Sequence, residues 1–159
     1  LSVLINTQHT TDNTQHTTDN GQQTTDNRQP TTKKMKDSRS YKDLDIYTKG
    51  LELFFAVHPL SLQLPKHEMY ELGSQLRRSA DSVVSNIVEG YGRRRYKADF
   101  IRFLVFSHAS CLETGNHINK IAHLYQDSEH KFRPYVEEYD ILGAKIYKFI
   151  QYVEKSWET

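Results

Sequence analysis

The sequence predicts an all-α fold, an antiparallel up-and-down four-helix bundle preceded by a disordered repeat arm. Three observations predict it. Apolar residues recur at steps of three and four over four separate stretches, short breaker-bearing connections separate those stretches, and every Tyr, Phe and Trp falls within residues 35–159. A chain of 159 residues, 36% of them hydrophobic, supplies one domain with a sizeable core and falls short of two ordinary ones.

Residues 1–34 contribute nothing to that core. From Asn6 they read as a seven-residue unit, NTQHTTD, copied twice intact and then decaying. The period is that of a coiled coil, but no position of the unit is apolar, so no seam forms. Thr, Asn, Gln and Asp cannot bury enough surface to offset chain entropy, and the arm is expected to be disordered. His9 and His16 occupy one place in the unit, but Gln23 and Pro30 stand there in the next two copies, which argues against a metal-binding tract. The first Met is Met35, where the composition turns globular, so the arm is expected to be an upstream extension of the reading frame.

The first helix is expected over about residues 41–58, with Leu44, Tyr47, Leu51 and Phe54 on one stripe and Pro59 ending it. Leu60, Leu62 and Leu64 then alternate in an extended loop that covers one end of the core. The second helix runs over about 66–89 through Met69, Leu72, Leu76, Ala80, Val83 and Ile87, with Gly90 as its stop and Gly90 and Gly92 making the connection. The third, about 96–125, carries Phe100, Leu104, Ser107, Cys111, Ile118, Ala122 and Tyr125. Residues 126–131 read as a polar turn. The fourth helix uses Pro134 in its first turn and reaches Trp157 through Tyr139, Leu142, Ile146, Phe149 and Val153.

Catalytic constellations are not found in this pattern. His67-Glu68 is followed by Glu71 where a zinc-protease helix needs its second His, and Gly90-Tyr-Gly92 follows a helix where a dinucleotide fingerprint follows a strand. His108 and Cys111 lie one turn apart, but two ligands do not make a metal site, and Cys111 reads as a small core residue. The only cysteine cannot form an intramolecular disulfide. No cofactor is expected. Without a run of about 18 apolar residues no membrane span is expected, and Leu1–Ile5 is too short for a signal peptide, which points to the cytoplasm.

Three groups of residues invite a binding role. Beside the apolar stripe of the second helix runs a polar one, Gln75, Arg78, Ser82, Asn86 and Glu89, suited to hydrogen bonds across a helix pair or between subunits. A basic group, Arg77, Arg78, Arg93, Arg94, Arg95, Lys97 and Arg102, is opposed only by Asp81, Glu89 and Asp99, in a chain whose net charge is +1. Arginine forks match phosphates, and Tyr91 and Tyr96 interleave as stacking or sugar contacts. Finally, the third helix begins Phe100-Ile-Arg-Phe-Leu-Val-Phe106, and consecutive residues about 100° apart spread this apolar surface around most of the helix. Phe100, Phe103 and Phe106 are the expected cover for a second subunit.

The Gln75-Leu-Arg-Arg78 run, Ser82, the Asn86-Ile-Val-Glu-Gly90 motif, the arginines after it and the Phe100-to-Phe106 helix start resemble the four-helix bundle family also called the 23S rRNA intervening-sequence, or S23, proteins. The resemblance spans about residues 41–157. It implies a small bacterial, non-enzymatic bundle. The accessory protein of diversity-generating retroelements, a related bundle, implies a homopentamer with a basic, nucleic-acid-binding surface.

The expected protein is therefore a non-enzymatic, self-associating bundle that binds RNA or DNA through the basic turn between its second and third helices; the alternative is a scaffold for an acidic protein partner. Because the arm lacks any core pattern, a chain beginning at Met35 is expected to match the full chain in helical circular dichroism and melting temperature. A large drop in melting temperature would contradict that division of the chain.

Overall fold

The computed structural model describes residues 40–157. The repeat arm with its two histidines, and the boundary at Met35, lie outside the described residues. A 3-10 turn, Tyr41–Asp43, opens the fold and is capped reciprocally: the Ser40 hydroxyl accepts from the Lys42 N–H at 3.3 Å, and the Ser40 N–H donates to the Asp43 carboxylate at 3.1 Å. Four long helices follow, α1 (Asp45–Ser61), α3 (Leu72–Gly92), α4 (Lys97–Leu124) and α5 (Gln126–Ser156), with a single short one, α2 (Lys66–Tyr70), between the first two. Helices α1 and α4 each pack against both α3 and α5, so the four long helices close a ring around one core.

Contacts between neighbours fix the antiparallel register. A guanidinium N–H of Arg77 donates to the Ser61 hydroxyl at one end of the α1–α3 pair, and Tyr41 meets Tyr91 edge-on at the other, 6.3 Å between ring centres. Along α3 and α4, the Ser107 hydroxyl donates to the Val83 carbonyl at 2.8 Å, while Ser82 and Ser110 share a hydroxyl–hydroxyl bond of 2.8 Å. The Cys111 thiol reaches the Tyr139 carbonyl across α4 and α5, and Lys145 pairs with Asp45 across α5 and α1. The core between them is built from Leu53, Val57, Leu76, Ile87, Leu104, Ile118, Leu142 and Ile146, all essentially without solvent exposure.

Six local expectations are corrected. In α1 the buried stripe is Ile46, Gly50, Leu53 and Val57, with Tyr47, Leu51 and Phe54 half-buried along its edge. Since α1 touches two helices, its apolar sector is wide, and the stripe of three- and four-residue steps through Tyr47, Leu51 and Phe54 is the edge of that sector and not its centre. Pro59 does not end α1, and Pro134 lies well inside α5, which begins at Gln126 and leaves Tyr125 as the only residue between α4 and α5. Each proline removes one N–H from the ladder. The carbonyls that lose a donor belong to Phe55 and His130, both exposed residues, so the lost bonds are not sealed away from solvent. Asp127 and Glu129 favour the early start of α5 by standing in its positive first turn, and Phe132 anchors that turn in the core. Of the three alternating leucines, Leu60 falls within α1, Leu62 is exposed and Leu64 closes the core.

The expected second helix is divided in two at Glu71, whose ψ of −98° leaves the helical region. The division frees the carbonyl of Met69, which in a continuous helix would accept from Gly73. Arg77 takes it at 3.1 Å while holding Ser61 at 2.9 Å, so this guanidinium braces α2 against both α1 and α3.

Gly90 is not a stop; α3 runs through it to Gly92. Its lack of a side chain lets α4 cross closely: a Cβ placed there would stand 2.8 Å from Phe103 Cβ and 3.2 Å from Phe100 Cδ2. Neither neighbour is a flexible chain end. At Gly115, inside α4, a Cβ would meet nothing within 4 Å. Replacing glycine by alanine within a helix gains about 0.5–1 kcal/mol, whereas forcing atoms into a closed contact costs about 1–3 kcal/mol. Gly115→Ala is therefore expected to raise the urea midpoint and Gly90→Ala to lower it. A Gly90→Ala protein as stable as the parent would show that the α3–α4 crossing is loose.

Candidate nucleic-acid interface

The turn between α3 and α4, residues 93–96, is made by backbone bonds that leave little slack. The Arg93 N–H donates to Glu89 and Gly90 carbonyls, Arg94 to Tyr91 at 3.2 Å, and Tyr96 back to Arg93 at 2.8 Å. The C-terminus of α3 carries the negative end of its dipole, which favours cations at these positions.

The side chains of the turn are ordered by the rings beneath them. Arg93 pairs with Glu89 at 2.9 Å and lies over the Phe103 ring, 5.0 Å from its centre. Arg94 donates to the Tyr91 carbonyl at 3.0 Å and covers the Tyr91 ring at 4.1 Å. Arg102 lies 5.5 Å over Phe106. A guanidinium over an aromatic face keeps its charge and still presents its N–H edge outward. Arg95 and Lys97 form no ion pair among the described residues. Arg93, Arg94, Arg95, Lys97 and Arg102 thus share one end of the bundle, opposed there by Glu89 and Asp99.

Arg77 and Arg78 do not join them. They lie near the start of α3, and sixteen residues of helix at about 1.5 Å per residue put Arg77 roughly 24 Å from Arg93. Arg77 is engaged in bracing α2, and Arg78 lines a shallow polar groove with Gln75, Ser79, Ser82 and Glu113. The seven-residue basic group is corrected to five.

The polar stripe separates in the same way. Ser82 and Asn86 are half-buried at the α3–α4 seam, where the Asn86 amide donates to the Ser82 carbonyl at 2.8 Å and its hydroxyl at 3.0 Å, and Ser82 continues to Ser110. Gln75, Arg78 and Glu89 are exposed on the flank. Sequence reading missed Ser107 and Ser110 as the partners on α4; their spacing of three, facing a stripe of the same polarity, was the available signal.

Phe100 is removed from the expected subunit interface. It is fully buried within the protomer, edge-on to Tyr91, Phe149 and Trp157. Phe103 is half-buried beneath Arg93. Phe106 remains 42% exposed, and Val105 and Leu112 join it as exposed apolar residues of α4.

Nucleophile chemistry has little footing here. Burial, with Asp140 adding to it, pushes the Cys111 thiol up to about 12, so at neutral pH it stays protonated and bonded to the Tyr139 carbonyl. Burial also raises the Tyr139 hydroxyl, with Cys111 adding to the shift. His108 packs against Tyr147, and among the described residues no three His, Cys, Asp or Glu side chains gather into a metal-binding group. No helix of the described residues is long and apolar enough to cross a membrane.

No curated protein matches this chain in sequence. The Gly90 crossing, the arginine-bearing turn and the helical ring up to the last turns of α5 fall within residues 42–148, the span matched by one family model, and on that match the chain belongs to the 23S rRNA-intervening sequence protein family.

Proposed function

We propose that this protein is a non-catalytic binder of nucleic acid that meets phosphates with the α3–α4 turn and does so as a homo-oligomer. The observation that carries the reading is the gathering of five cations at one end of the bundle, three of them held over aromatic rings. Ring-held guanidinium groups surrender less side-chain entropy when they meet a phosphate than free ones do. The family is named for sequences that intervene in 23S rRNA, which favours RNA as the polymer. An exposed strip on α4, Val105, Phe106 and Leu112, supports self-association, since an apolar strip beside a charged end gains by being covered. Repeated copies of a modest basic end would then act as one multivalent surface, as in the pentamer that the resemblance implies.

Titrating the protein with a structured RNA, a duplex DNA and a single strand at several salt concentrations tests the reading. Affinity is expected to fall steeply with salt, and changing Arg93, Arg94 and Arg95 together to Ala is expected to lower both affinity and the slope of log K against log salt. Circular dichroism of that variant should match the parent. Absence of binding to all three at low ionic strength would overturn the reading in favour of a scaffold for an acidic protein. Sedimentation tests the assembly: the parent is expected to be oligomeric at micromolar concentration and Phe106→Glu to be a folded monomer. A monomeric parent would remove the self-association claim.

A further inference from the structure

We infer that the α3–α4 turn takes unpaired nucleotides, a base stacking on Tyr96 while the neighbouring cations hold its phosphates. This rests on the reading of the turn as a phosphate-binding element and adds to it a strandedness.

The two tyrosines of the turn have different fates. Tyr91 is 5% exposed, with Arg94 over its ring and Tyr41 and Phe100 at its edges, so no base can reach it. Tyr96 is 64% exposed and makes no ring or cation–ring contact among the described residues, although the other rings at this end, from Tyr41 through Phe100 and Phe103 to Trp157, are all engaged. Its exposure does not come from a loose backbone. The Tyr96 N–H donates to Arg93 at 2.8 Å, and its carbonyl accepts from Phe100 at 3.0 Å, which makes it the residue that caps α4. A rigidly mounted, unpartnered ring therefore stands between Arg95 and Lys97, the two cations at this end that, among the described residues, have neither an ion pair nor a ring beneath them.

That arrangement combines the two elements of a single-strand site, a cationic track and an aromatic platform. In a duplex the base faces are already covered by one another, and Tyr96 has nothing to stack on; the phosphate contacts are then all that remain. Unpaired bases offer open faces, so the ring adds affinity only for them. The gain is not ionic and should leave the salt slope untouched.

The test measures affinity of the full chain for three labelled probes of equal length: an RNA without self-pairing, a DNA of the same sequence, and an RNA duplex. Tyr96→Ala is expected to weaken binding to the single strands by roughly fivefold to a hundredfold, the worth of one stacked base, while duplex affinity and the salt slope stay at parental values. Tyr96→Phe should behave as the parent, and the two single strands report whether the sugar matters. The inference is overturned if Tyr96→Ala leaves single-strand binding unchanged, or weakens duplex and single strand alike. If none of the probes binds the parent at low salt, the phosphate-binding reading itself fails, which separates the two claims.

Discussion

The close crossing of α3 and α4 at Gly90 is the constraint on which the rest of this molecule depends. With no side chain at that position, Phe103 and Phe100 come within a contact that a Cβ would close, and α4 starts directly beneath the end of α3. Phe100 then fills the end of the core beneath Tyr91, and Phe103 is left just outside it, where Arg93 can lie across its ring. The seam continues with small polar residues: Ser107 on the Val83 carbonyl, then Ser82 with Ser110. Small side chains allow the backbones to approach, and satisfied hydroxyls keep that approach from burying an unpaired polar group. The α4–α5 seam holds larger groups, among them Ile118, Leu142 and Ile146, and fills the core by volume.

Much of this was legible in the sequence, because the pattern of threes and fours survives wherever one face of a helix is buried. The four long helices and most of the core on α3, α4 and α5 follow from it directly. The errors have physical causes. Local propensity makes Pro59 and Pro134 helix boundaries, whereas a proline on an exposed helical face loses only one bond, which solvent can replace. The break at Glu71 was invisible, since it depends on Arg77, a residue that reads as surface charge until its three-dimensional partners are known. Gly90 was read by local propensity as a stop, while its role is set by α4, ten residues and more away in sequence.

The candidate site shows the same division. Arginines at 93–95 are adjacent along the chain and stay adjacent in space. Arg77 and Arg78 were grouped with them by charge alone, although helical rise already separates the two sets. Phe100 was assigned both to the core stripe and to the subunit interface; its spacing with Leu104, Ser107 and Cys111 favoured the core. What no local pattern indicated is the pairing of three of the five cations with rings. Arg94 on Tyr91 and Arg102 on Phe106 turn a string of basic residues into an ordered surface. The dipole of α3 supports it, and the exposed ring of Tyr96 completes it.

On the proposed function, nucleic acid meets the α3–α4 end of the bundle. Photo-crosslinking of the protein to a single-stranded RNA carrying 4-thiouridine, with the attached peptides identified by mass spectrometry, tests this most directly. Crosslinks are expected on the segment 93–102, Tyr96 foremost. Crosslinks concentrated instead around Gln75 and Arg78, or along Val105 to Leu112, would contradict it.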